Sequence, residues 1–87
     1  MASLYEINLQ REILREKSAE ILGYFNNYMD KNNINSTEIK NPIVMLYLNT
    51  VHIYNDIFGS KYDDITKIEA ANGQLDLAKN ILMSMGE

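Results

Sequence analysis

Residues 41–59 read NPIVMLYLNTVHIYNDIFG, and this stretch decides the fold. Asn41 is a good helix cap, and Pro42 fits the first turn, where a missing N–H costs nothing. Gly59 offers a left-handed stop. Placed at 100° per residue, Ile43, Leu46, Tyr47, Val51, Ile53, Tyr54, Ile57 and Phe58 spread over about half the circumference. A single core-facing stripe needs less. The spacing predicts a helix over 42–58 that is covered from two sides, by its own chain or by a second copy.

Working outward, a first helix is expected over 4–31. Ser3 and Glu6 form a capping box, in which each side chain satisfies an otherwise orphan backbone N–H. Ile7, Leu14, Ile21 and Tyr28 recur at heptad spacing. Leu4, Ser18 and Phe25 fill the interleaved series, with Arg11 the odd member. Gly23 costs up to about 1 kcal/mol in a helix interior, which close approach of a neighbour would explain. A polar connector follows, with Ser36 or Thr37 able to open a short helical turn through Lys40.

The third helix is expected over 61–85, started by Ser60 and Asp63. Ile68, Leu75 and Leu82 hold one heptad position, and Ala71, Ala78 and Met85 the other. Asn72-Gly73 is a frequent helix stop. One unbroken helix keeps the heptad in phase with Gly73 outside, and the alternative is a fourth helix after a hairpin there. Residues 70–78, AANGQLDLA, are similar to the turn of ankyrin or pentatricopeptide repeats. The likeness covers a small part of one repeat with no second copy, so it is shared turn chemistry and identifies no family.

The whole reads as a single all-α domain, 1–87, a three-helix antiparallel bundle with a long first helix. A chain of 87 residues without cysteine has no disulfide or thiolate metal site to stiffen it. Small domains bury only about 60% of their unfolded surface. Homodimerisation is therefore the expected aid to the core. A formal charge of −4 and no clustered basic face argue against a nucleic-acid partner. No apolar run reaches the roughly 18 residues that span a bilayer. Met1-Ala2-Ser3 leads into charged helix rather than a signal peptide, which points to the cytoplasm. Abundant Asn, Ile, Lys and Tyr fit an AT-rich coding genome, bacterial or phage.

Catalytic chemistry finds little support. His52, the single histidine, has Asp56 at i+4 but no nucleophile to serve. Asp63, Asp64 and Glu69 match no calcium loop and suit a helix start. No catalytic residue, cofactor site or metal site is assigned. Docking surfaces are more legible. Glu12, Glu16 and Glu20 stack at i+4 beside Arg11 and Arg15. Leu9 and Ile13 lie off the first helix's main stripe, as Met45 and Leu48 lie off the second's. Tyr and Met, six and five here, are enriched in interfaces. Leu9, Ile13, Glu12, Glu16, Met45 and Leu48 are the candidate protein-contact residues. The function this implies is a small non-catalytic regulator, inhibitor or adaptor that binds a protein through a helix face. The rival readings are a nucleic-acid-binding regulator and a structural or chaperone subunit.

Overall fold

The computed structural model describes residues 3–86, and all its regular structure is helical. Helix α1 spans Leu4–Lys31, α2 Pro42–Asp56 and α3 Ile65–Gly86, with a 3-10 turn at Ser60–Tyr62. Each start is capped. The Ser3 hydroxyl accepts from the Glu6 N–H at 3.1 Å. The Asn41 side chain accepts from the Ile43 N–H at 2.9 Å, just ahead of Pro42. Asp64 accepts from the Lys67 N–H at 3.0 Å. The third cap thus falls on Asp64 rather than Ser60, because residues 60–62 are already used in the 3-10 turn.

The three helices run up, down and up. Phe25 meets Tyr47 edge-on at 6.0 Å, and Arg11 reaches Gly59 and Tyr62, so α1 and α2 are antiparallel. Lys17 binds Asn72 and Asp76, and Glu20 binds Lys79, so α3 returns parallel to α1. The core forms where the three meet. Leu14, Ile21, Phe25 and Met29 come from α1, Ile43, Val44 and Ile53 from α2, Ile57 and Tyr62 from the corner, and Ile68, Leu75 and Leu82 from α3. Ala71 and Ala78 are buried as the heptad requires, and their small side chains let the backbones approach.

Buried polar groups satisfy themselves locally. The Ser18 hydroxyl donates to the Arg15 carbonyl at 2.9 Å, and that of Thr50 to the Leu46 carbonyl at 2.9 Å. A hydroxyl bonded within its own helix packs like a small apolar group. Tyr62 is buried too, and that burial, with the Asp56 charge second, raises its phenol above a tyrosine's ordinary 10.0.

Several expectations change. α2 ends at Asp56, and Gly59 is extended at φ −87°, ψ 178°, not left-handed. The chain must leave α2 straight into the 3-10 turn, which a left-handed stop would redirect. Ile57 still enters the core, but Phe58 turns outward and Val51 is only half-buried. Leu46 and Tyr47 of the α2 arc, and Leu48 beside it, pack partly buried against the core of the same chain. Leu4 and Met85, both heptad members, are exposed because they lie at the helix ends beyond their partners. Residues 36–40 form turns rather than helix. There Asn35 Oδ1 accepts from the Thr37 N–H and hydroxyl, both at 2.9 Å.

α3 passes unbroken through Asn72-Gly73, with Gly73 outside. Asn72 Oδ1 is held by Lys17 Nζ at 2.6 Å, so this side chain joins α1 instead of ending α3. Gly23 admits no close neighbour. A Cβ at Gly23 or Gly73 would meet nothing within 4 Å, and neither has positive φ. Both glycines then only weaken their helices, by ~0.5–1 kcal/mol each. Gly23→Ala combined with Gly73→Ala is expected to raise the thermal midpoint by roughly 5–10 °C. A midpoint that stays or falls would mean that one of these positions is not open helix surface.

Candidate protein-docking face on helix α1

Both other helices pack on one side of α1, along Leu14, Ser18, Ile21, Phe25 and Met29. At 100° per residue, Tyr5, Leu9, Glu12, Ile13 and Glu16 fall within an arc of about 100° on the opposite side. The structure leaves all five exposed. Tyr5 is 78% exposed, and Leu9 and Ile13 are 46% each. These three follow one another at i+4, so they form a continuous apolar ridge. Glu12 and Glu16 edge it with carboxylates that make no ion pair among the described residues.

Glu20, expected in the same acidic column, does not belong to this face. Its carboxylate accepts from Lys79 Nζ at 3.3 Å, and the same ammonium lies 5.7 Å from the Tyr24 ring centre. Such part-exposed pairs contribute ~0–1 kcal/mol, so they set register more than stability. Arg11 leaves the basic column as well. Its Nε donates to the Tyr62 carbonyl at 2.8 Å and its Nη2 to the Gly59 carbonyl at 3.3 Å. It thereby ties the corner after α2 to α1 and fixes how the ridge stands on the bundle. Sequence reasoning missed this role. The available signal was a cation at a core heptad position, opposite a helix end whose carbonyls need donors.

The other two candidates sit elsewhere. The pairing of Phe25 with Tyr47 and of Arg11 with Gly59 sets the antiparallel register. In that register Met45 lies level with about residue 26 of α1, some 20 Å along the axis from Leu9 and Ile13. Met45 is 58% exposed, whereas Leu48 is half-buried and packs on the core. The six residues therefore do not converge into one patch. Leu9, Glu12, Ile13 and Glu16 share a face, and Met45 stands apart.

The remaining polar residues do local work. His52 is exposed, and no ion pair joins it to Asp56 among the described residues. Asp63 pairs with Lys67 at 2.9 Å. That hydrogen bond, with the Lys67 charge second, lowers the Asp63 carboxyl, and the same bond raises the Lys67 ammonium. No helix among the described residues is long and apolar enough to cross a membrane.

The arrangement leaves an apolar and acidic edge of α1 exposed. Comparison with known proteins gives this edge a context. No curated protein and no solved structure matches the chain. The family model described as bacterial epsilon antitoxin matches residues 3–85, which takes in α1, α2, all but the last residue of α3 and the whole exposed face. The chain therefore belongs to the bacterial epsilon antitoxin family, and is a small protein-binding regulator rather than an enzyme.

Proposed function

We propose that this antitoxin neutralises its cognate toxin by laying the outer ridge of α1 into a groove on the toxin. The observation that carries the reading is the ridge itself: Tyr5, Leu9 and Ile13 exposed in line, on the face of α1 opposite the core. Helix-in-groove recognition uses apolar anchors at i and i+4 spacing. Glu12 and Glu16 would answer basic groups on the rim of that groove, which guides encounter and fixes register. The toxin surface this predicts is an apolar channel with a positive border. The helix is already formed and capped, so little ordering entropy opposes docking.

The rival reading as a nucleic-acid binder draws little from the charges. Lys79, the one cation of α3 after Gly73, is taken up by Glu20 and Tyr24. Leu9→Glu combined with Ile13→Lys is expected to keep native helix content by circular dichroism and to weaken toxin binding at least about 100-fold, the cost of losing two central anchors. Native affinity in the folded double variant would remove the ridge from the interface. Collapse of the helix signal would mean that α1 is buried on both sides.

Self-association in the cytoplasm is a separate part of the proposal. Met45, Leu77 and Met85 are large apolar residues left exposed on α2 and α3, off the α1 ridge. A second copy would cover them without competing for the toxin face. Sedimentation equilibrium at micromolar concentration is expected to report a dimer of the 10.0 kDa chain. A monomer alone across that range would contradict it.

A further inference from the structure

On the side of the bundle away from the α1 ridge, α2, the 3-10 turn and α3 enclose a groove of about 440 Å³. Its walls carry Asn49 and His52 of α2, Lys61 and Tyr62 of the turn, and Lys67 and Gln74 of α3. No Asp or Glu is among the residues that line it, and the one carboxylate bound to a lining cation is Asp63, at Lys67. Lys61 has no ion-pair partner among the described residues. Across the groove the Asn49 amide donates to the Gln74 amide oxygen at 3.3 Å, which leaves the Gln74 NH2 free to donate elsewhere.

We propose that this groove binds a small phosphate-bearing ligand, held between Lys61 and Lys67 with the Gln74 amide and the His52 ring as further donors. Two ammonium groups from different elements, set among neutral donors, suit an anion with several oxygens. Lysine serves phosphate as a point charge, without the fixed fork that arginine offers a carboxylate. The volume lies within the range of small-molecule sites. Ile53, Tyr62, Ala70 and Ala71 also line the groove and give the body of an ester apolar contact. Asp63 is the internal competitor, since its carboxylate already holds Lys67 at 2.9 Å. Phosphate must share or displace that contact, which gives the proposal a signature of opposite sign. This reading does not depend on the toxin-docking face.

The test is a titration of the full 15N-labelled chain with inorganic phosphate, phenyl phosphate and acetate at constant ionic strength, followed by NMR. Both phosphates are expected to give saturable shifts at the Lys61 and Lys67 backbone amides and at the Asn49 and Gln74 side-chain amides, and acetate none. Tighter binding of phenyl phosphate identifies an organic ester as the ligand class, and equal binding identifies free phosphate. Lys61→Gln and Lys67→Gln are expected to weaken binding at least about tenfold each, and Asp63→Asn to tighten it several-fold. All three side chains are exposed, so the fold should persist. The proposal is overturned by the absence of saturable shifts up to roughly 10 mM of either phosphate. Equal shifts with acetate, or an affinity indifferent to both lysine substitutions, would overturn it too.

Discussion

The packing seam of α1 is the constraint on which the remainder of the structure depends. Leu14, Ser18, Ile21, Phe25 and Met29 form one buried line, and both α2 and α3 lie against it. Because α1 is 28 residues long and buried on one side only, its other side is a free edge held rigid from behind. Small groups make this possible. Ser18, Ala71 and Ala78 bring the helices close, and the Ser18 hydroxyl is satisfied within α1 itself. Core and outer face of α1 can therefore vary separately.

The helices were legible in the sequence because their signals are local. Ser3, Asn41 and Pro42 mark starts through their own backbone geometry, and the heptads of α1 and α3 name most of the buried side chains. What the sequence hid is long-range and polar. Arg11 looked like a flaw in a heptad until the carbonyls of Gly59 and Tyr62 came within reach. An unbroken α3 through Asn72-Gly73 is as the heptad implies, but the Lys17 contact that holds the Asn72 side chain has no local signal. Glu20 shares its spacing with Glu12 and Glu16, yet Lys79 draws it to the seam with α3. Thr50 is buried against its polar character because its hydroxyl bonds within its own helix and so packs like an apolar group. A heptad also does not say where the neighbouring helix stops, so it includes Leu4 and Met85, which are exposed.

The candidate site was legible in part. Leu9, Glu12, Ile13 and Glu16 stand together on one exposed face, as their spacing implies. Tyr5 extends the same ridge and was not singled out. Met45 and Leu48 illustrate the limit of a helical wheel. It gives a direction around one axis but not what covers it, so a half-covered Leu48 and an open Met45 look alike. The far groove was invisible for a related reason. Lys61 and Lys67 come from a 3-10 turn and a helix, and only the corner after α2 brings them beside His52. The chain thus carries an acidic, apolar edge on α1 and, on the opposite side, a concavity lined by Lys61 and Lys67.

Side-chain footprinting by hydroxyl radicals, with and without bound toxin, tests the central claim most directly. Helical amides are already protected by their own hydrogen bonds, whereas exposed side chains report contact. The account predicts that Tyr5, Leu9 and Ile13 lose reactivity in the complex while Leu77 keeps it. Reactivity unchanged along the α1 ridge, with protection confined to α2 and α3, would contradict it.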